Sequence, residues 1–213
     1  KYLSGLAKKN KIVGYVAYNH RFEPNFERLK KLIFLKEIGK IYSCKLFYGN
    51  GTAQLVKNSV WRDKGLGVLK DLGSHLLDTI FFWFGYIEKW ELIKLNKFEN
   101  NSPDHAILVS KNNNIFIELE MSLLSWRNSF SCQIIGEKGS IHIDSLCKWG
   151  PSTFLLRKRK FPSGIPSERK NVLIKNDPTW FKEYSYFKKL VTKKQSFALR
   201  NDINIFKILN KLK

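Results

Sequence analysis

The clearest pattern in the chain is an aliphatic or methionine side chain at every second position between 115 and 123. Isoleucine, leucine and methionine occupy every second position, and Phe, Glu, Glu and Ser stand between them. A period of two predicts a β-strand with one buried face. Further β-rich runs between turn signals predict strands at 11–18, 40–49, 89–95, 105–110, 130–135, 140–144, 154–161 and 171–175.

Apolar residues at helical spacing predict helices at 2–10, 24–39, 69–84 and in the last third of the chain. Pro24 and Pro178 stand where proline is favoured, at the first helical position. A helix that leads straight into an apolar strand, as at 2–18, is typical of the end of a βα unit. We therefore predict an α+β chain: a large, mostly antiparallel sheet with helices on one face, preceded by a helix–strand remnant.

The run from Leu69 to Phe84 carries three polar residues among apolar ones. In a helix, Asp71, His75 and Asp78 would lie at i, i+4 and i+7 on one face. An imidazole next to carboxylates suits general acid–base chemistry. A core histidine that bonds nearby acids for structural reasons would show the same spacing, so the pattern leaves both interpretations open.

The net charge of the chain is large, but the distribution of the basic residues does not indicate a nucleic-acid-binding surface. The formal net charge is +20, which raises nucleic acid as a partner. However, 30 of the 38 basic residues are lysines, and they are scattered along the chain. The densest cluster, 157–160, alternates within a predicted strand and is interpreted as a solvated edge. A nucleic-acid-binding surface would concentrate these charges on one face and add aromatic residues, so we expect no nucleic-acid partner.

Three cysteines, Cys44, Cys132 and Cys147, are an odd number at wide spacing. They imply neither a disulfide framework nor a zinc site, and we expect no metal. This cysteine usage favours a reducing compartment, so we expect a cytoplasmic protein. The most apolar run, 76–87, is too short and too interrupted to span a membrane.

Four segments resemble one known family when they are taken in chain order. They are YNHRFEP at 18–24, WR at 61–62, GLGVLKDLGSHLLD at 65–78 and IIGEKGSIHID at 134–144. Together these segments are similar to the Gfo/Idh/MocA oxidoreductases over nearly the whole chain. The glycine turn followed by Asp, Gly, His and Asp is the most specific of them.

The resemblance implies an N-terminal Rossmann domain for NAD or NADP, followed by a sheet domain that holds the substrate. The glycine fingerprint for the dinucleotide and a Glu-Lys-Pro motif with a catalytic lysine do not occur in the sequence; we expect them upstream of Lys1. Residues 1–18 are then the remnant of the Rossmann domain, and 19–213 the C-terminal substrate and oligomerisation domain. The implied substrate is a sugar, polyol or nucleotide-sugar, and the implied assembly is a homo-oligomer through the sheet face.

For the acid–base residues, the resemblance implies that His75 is catalytic and takes the proton of a substrate hydroxyl as hydride leaves for the nicotinamide. Asp71 matches a catalytic aspartate that orients the site. Asp78 matches a position that contacts substrate hydroxyls, although a structural acid at this position is an equal alternative.

The remaining implied roles belong to residues outside this helix. Asn19 and His20 follow the last Rossmann strand and are expected to bind substrate. For Arg21 we favour a salt bridge that anchors the joint between domains. Trp61 and Arg62 match a pair that approaches the cofactor. The alternative for the whole chain is a non-catalytic homologue that serves as an oligomerisation or binding module.

Overall fold

The computed structural model describes residues 2–110, 114–194 and 200–212. Within these ranges the chain forms six α-helices and one sheet of eight strands. The helices are α1 (Tyr2–Lys9), α2 (Pro24–Phe34), α3 (Ala53–Lys57), α4 (Ser74–Phe84), α5 (Thr179–Thr192) and α6 (Arg200–Lys211). The strands are β1 (Ile41–Gly49), β2 (Trp90–Asn96), β3 (His105–Ser110), β4 (Phe116–Ser122), β5 (Ser129–Gly136), β6 (Gly139–Asp144), β7 (Ser152–Lys158) and β8 (Ser167–Leu173).

The strands lie in the order β2-β3-β4-β1-β5-β6-β7-β8. Neighbouring strands are antiparallel throughout the described sheet except for β1 and β4, which run parallel in the middle. Five of the seven pairings join strands that follow each other along the chain, whereas β1 pairs with β4 and with β5, which both lie far from it in sequence. The predicted α+β fold with a mostly antiparallel sheet is confirmed.

The core lies between one face of the sheet and the helices. In β4 the residues Ile117, Leu119 and Met121 are fully buried, as their alternation predicted. Helix α2 reaches the same face, where the rings of Phe26 and Phe130 lie 5.0 Å apart and are nearly inaccessible to solvent. The helices thus cover one face, and the other face of the sheet is left to solvent.

Helix α4 is the central helix of this layer. Seven of its eleven residues are buried, and it ends at Gly85, whose φ of 80° suits glycine. The indole N–H of Trp83 donates to the carbonyl of Phe26 at 3.2 Å and ties α4 to α2. No helix in the described ranges is long and apolar enough to cross a bilayer.

The prediction of a strand at 11–18 is wrong. Among the described residues this segment has no strand partner, and the eight strands pair only with each other. A β-strand needs a hydrogen-bonded neighbour, and the apolar pattern alone does not supply one. The segment packs instead through Tyr15, whose hydroxyl donates to Glu183 of α5 at 2.9 Å and whose ring lies 5.9 Å from Phe187.

The predicted strand at 40–49 is present as β1, and Tyr42, Cys44, Leu46 and Tyr48 stand at every second position of it, a pattern that predicts one shared face. Cys44, Leu46 and Tyr48 face the core, but Tyr42, which the same pattern assigns to that face, is 48% exposed. The pairing of β1 with β5 shifts register between Ile41 and Ser43. Such a bulge moves the following side chains to the opposite face, which explains the exposure of Tyr42.

Candidate active site

The helix that carries the three acid–base residues begins with a π-helical turn, Leu69–Gly73, which leads directly into α4. The carbonyl of Gly67 accepts hydrogen bonds from the amides of Lys70 and Asp71 at 3.0 and 3.1 Å. A π-helical turn is wider than an α-helical one and is frequent at functional sites. Asp71 therefore lies in a π-helical turn and His75 in the α-helix that follows it, and the single α-helix assumed from their spacing is not present.

Each of the three residues engages a different neighbour. The Asp71 carboxylate accepts a hydrogen bond from Nη2 of Arg62 at 2.6 Å, and Asp78 is paired with Arg21. In the part of the chain that the structure describes, neither carboxylate is hydrogen-bonded to His75. The expectation that the histidine is oriented directly by flanking carboxylates is therefore not met, while the proposed roles of the three residues stay predictions.

His75 lies among aromatic rings instead. Its ring centroid is 5.4 Å from that of Tyr18, 4.7 Å from that of His20 and 6.3 Å from that of Tyr48. Its buried Nδ1 has no hydrogen-bond partner among the described residues. Burial, and then the positive charge of Lys148, lower the pKa of His75 to about 4, although the charge of Asp71 opposes the shift. At neutral pH this imidazole is an uncharged base.

His20 is the second histidine of the site and is 2% exposed. Its Nε2 lies 3.0 Å from Nζ of Lys148, while its buried Nδ1 has no partner in the described ranges. Burial, and after it the charges of His75 and Lys148, hold the pKa of His20 well below its ordinary value. The structure therefore places the predicted residues His20 and His75 side by side, as neutral rings.

Lys148 is a residue of this site that sequence reasoning missed. It lies in a short 3-10 helix, Cys147–Trp149, that follows β6, and its ammonium is 4.8 Å from the centre of the Trp149 ring. Burial lowers the pKa of Lys148, an effect that Asp177 and Glu23 oppose. In the sequence, Lys148 is marked only by its place between Cys147 and Trp149 shortly after a predicted strand. Because lysine is abundant throughout the chain, this placement does not distinguish it from the other lysines.

Asn19 and Asp78 both have protein partners. The amide of Asn19 donates to the hydroxyl of Thr179 at 3.0 Å, and Asn19 is 3% exposed. Arg21 grips Asp78 with two hydrogen bonds: Nε to Oδ2 at 2.8 Å, and Nη2 to Oδ1. Asp78 is 1% exposed, and burial raises its pKa against the opposing effect of Arg21. The expected salt bridge of Arg21 is present, and a substrate contact by Asn19 or Asp78 stays a prediction.

Trp61 and Arg62 line a cavity of about 210 Å³ in front of the π-helical turn. The indole of Trp61 is 76% exposed, and Lys64, Lys70 and Asp71 also line the cavity. An accessible aromatic ring and several cations are groups that can hold a flat heterocycle and a phosphate. Among the described residues no three His, Cys, Asp or Glu side chains are grouped so as to hold a metal ion.

Gly67 fixes the start of the π-helical turn, because its φ is +45° and a Cβ there would collide with the carbonyl oxygen of Pro103. We expect Gly67→Ala to lower the free energy of unfolding by about 3 kcal/mol, through left-handed strain and overpacking. The control is Gly65→Ala, at φ +67° but in open space, where strain alone costs about 1–2 kcal/mol. Urea denaturation compares the two variants, and equal losses would contradict this account of Gly67.

Comparison with known proteins gives one family match and related sequences and structures. Residues 26–142 match the family model of the GFO/IDH/MocA C-terminal domain. The glucose-6-phosphate 3-dehydrogenase of Bacillus subtilis (strain 168) is 28% identical over an alignment of 149 residues that covers 62% of this chain and 43% of that protein. The chain thus spans less than half the length of this curated relative.

Two solved structures share the fold. A proposed NADPH-dependent oxidoreductase of Desulfitobacterium hafniense superposes with a TM-score of 0.81 at 16% identity, covering 98% of this chain and 65% of that one. Levoglucosan dehydrogenase in complex with NADH and levoglucosan gives a TM-score of 0.74 at 20% identity, covering 94% of this chain and 65% of that one. The matched family model covers more than half of the chain, and the chain therefore belongs to the Gfo/Idh/MocA family, whose C-terminal domain it contains.

Proposed function

We propose that this chain is the substrate-facing part of an NAD(P)-dependent oxidoreductase. The reaction is the transfer of hydride between a nicotinamide and a secondary alcohol of a sugar, a polyol or a nucleotide-sugar. Relatives of this chain named as a glucose-6-phosphate 3-dehydrogenase and as a levoglucosan dehydrogenase support a sugar substrate.

The observation that carries the proposal is the state of His75. Its imidazole is partly buried and uncharged, and its Nδ1 is not bonded to any described residue. A buried polar atom without a partner is costly and calls for a functional explanation. An uncharged histidine in a pocket of aromatic rings is suited to accept a proton from a bound hydroxyl group.

In the oxidation direction, the substrate carbon loses a hydride, the hydroxyl oxygen loses a proton, and a carbonyl group forms. A bound nicotinamide accepts the hydride. His75 takes the proton as general base and returns it in the opposite direction. Asp71 holds Arg62 in place, and its negative charge favours the imidazolium that His75 becomes. Asn19, His20 and Asp78 are proposed to border the substrate.

The cavity beside Trp61 and Arg62 is suited to bind part of the nicotinamide cofactor. The exposed indole can pack against a flat ring, and the guanidinium, with Lys64 and Lys70 nearby, can bind phosphate or a carboxamide oxygen. Arg62 is already held by Asp71 at 2.6 Å, so part of its conformational entropy is lost before any ligand arrives.

The proposal is tested by titrating the protein, produced from its full reading frame, with NADH and NADPH and following nicotinamide fluorescence. We expect Arg62→Met to raise the Kd of the preferred cofactor about tenfold or more, because a charge-assisted hydrogen bond is lost. The matched control is Arg159→Met, an exposed arginine that stacks on Phe161.

The same protein is then supplied with oxidised cofactor and with glucose 6-phosphate, levoglucosan and a panel of polyols. Formation of reduced nicotinamide with one of these secondary alcohols supports the proposal. If the protein binds neither cofactor and oxidises none of these compounds, the oxidoreductase proposal fails.

One observation favours the alternative of an oligomerisation module. The solvent face of the sheet carries apolar side chains, among them Phe116 and Ile135, which are 46% and 40% exposed. A flat face of this kind can pair with a second copy of the chain, and we propose such a homo-oligomer in either case. Light scattering that shows an oligomer, together with no cofactor binding, would favour the purely structural role.

A further inference from the structure

Lys148 has no part in the function proposed above, yet its ammonium lies against one ring of the histidine pair. Nζ is 3.0 Å from Nε2 of His20 and 6.0 Å from the centre of the Tyr48 ring. A charged ammonium group has hydrogens to donate and no lone pair to accept with. Nε2 of His20 must therefore be the acceptor, and the ring proton of His20 must be on Nδ1.

We propose that Lys148 is a positioning residue for His75 that acts through His20: its ammonium fixes His20 as the Nδ1–H tautomer and places a positive charge next to the histidine pair. The inference rests on the proposed function, in that it explains how His75 is kept ready as a base. The state of His20 bears on His75 because the centroids of the two rings are only 4.7 Å apart.

The charge of Lys148 matters because both rings are largely removed from water. A like charge close by disfavours protonation of an imidazole, and the effect is stronger where solvent screens it less. After burial, Lys148 is the next cause that lowers the pKa of His75, and it also lowers the pKa of His20. His75 is thus held in the form that can accept a proton.

The acids around the site explain how an ammonium is kept there. Glu23, which precedes α2, and Asp177, which precedes α5, both favour the charged form of Lys148, against the effect of burial. The titratable and charged groups that face the Lys148, His20 and His75 cluster from the elements packed against it are Tyr18, Glu23, Tyr48, Asp71, Cys147 and Asp177. Glu23 and Asp177 thus offset part of the cost of holding an ammonium group next to the imidazole of His20.

The test is nitrogen NMR of the chain labelled with ¹⁵N-histidine, which reports the tautomer and the titration of each ring. The chain has only four histidines, so single substitutions assign the signals. In the unsubstituted chain we expect His20 in the Nδ1–H tautomer at neutral pH. In Lys148→Met we expect this preference to be lost and the titration midpoint of His75 to rise by about one pH unit or more.

Two variants separate this role from a general effect on the fold. Lys148→Arg keeps a charged donor and should keep the Nδ1–H tautomer of His20. Lys45→Met removes a lysine that is half exposed and paired with Glu118 on the outer face of the sheet, and it should leave both histidines unchanged.

An Nε2–H tautomer of His20 in the unsubstituted chain would overturn the inference without any variant. So would a folded Lys148→Met chain whose histidine titrations match the unsubstituted ones. These readouts need neither cofactor nor turnover. If the oxidoreductase proposal fails while the tautomer and the shifts appear as expected, the role of Lys148 toward His75 stands and only the reaction has to be replaced.

Discussion

Replacing His75 with glutamine will lower kcat for oxidation of the sugar or polyol by about 10²–10⁴-fold, the usual contribution of a general base. Glutamine preserves much of the shape of the ring but cannot accept a proton at neutral pH. Because the substitution removes a group that acts on the departing proton, KM and the Kd of the cofactor should change little. Steady-state kinetics of the protein produced from its full reading frame, with the alcohol that it oxidises best, measure the effect.

The role of His75 as a base also predicts how the oxidation rate depends on pH. His75 works as a base in its uncharged form, and its pKa is lowered to about 4. The oxidation rate of the unsubstituted protein should therefore stay level through the neutral range and fall only as the pH drops through about 4. His105→Gln is the matched control, since His105 lies 3.1 Å from Glu120 on the sheet and away from the pocket. If His75→Gln kept most of kcat, His75 would not be the base.

Replacing Arg21 with leucine will lower the free energy of unfolding by about 3–5 kcal/mol at neutral pH, the range observed when one partner of a buried ion pair is removed. The reason is Asp78, which is 1% exposed and receives two hydrogen bonds from Arg21. Without the guanidinium, a carboxylate is left uncompensated in the core. Chemical denaturation followed by far-UV circular dichroism measures the loss.

This loss should become smaller in acid. In Arg21→Leu, burial keeps the pKa of Asp78 in the folded state above its ordinary value. The folded state then takes up a proton at a pH where the unfolded chain is still ionised, so the free energy of unfolding rises as the pH falls through the folded-state pKa. The double variant Arg21→Leu/Asp78→Asn should recover part of the loss, because no buried charge is left unpaired.

An exposed ion pair provides the comparison for Arg21. Lys45 and Glu118 lie 3.4 Å apart on the solvent face of the sheet, and Lys45→Leu should cost less than about 1 kcal/mol. A similar cost for the two substitutions would mean that burial does not govern the Arg21–Asp78 pair.

Much of the fold could be predicted because its signals are local. The alternation at 115–123 predicted β4 and its buried face, and the β-rich runs at 130–135 and 140–144 predicted β5 and β6. His75 could be singled out for the same reason, since it is a polar residue in an otherwise apolar helix. Patterns of this kind depend only on neighbours in the sequence.

What could not be predicted depends on contacts between distant parts of the chain. The segment 11–18 has a strand-like pattern, but no strand lies beside it in the described structure. The π-helical turn ahead of α4 changes the geometry of Asp71 and His75 without any signal in the spacing. Lys148 reaches His20 from a position more than half the chain away. Its role follows from burial and charge, which the sequence does not show.

The place of β1 in the middle of the sheet has a consequence for how the protein is made. As the chain leaves the ribosome, β1 is synthesised before β4 and β5, and these are its two neighbours in the described sheet. Both of its edges stay unpaired until 116–136 have been translated, and an open strand edge is a site for mispairing with other chains. The contact between the Tyr48 ring on β1 and the ammonium of Lys148 can form only later, once Lys148 has been translated. The pocket around His75 is thus completed only after Lys148 has been translated, well after β1 and α4 have left the ribosome.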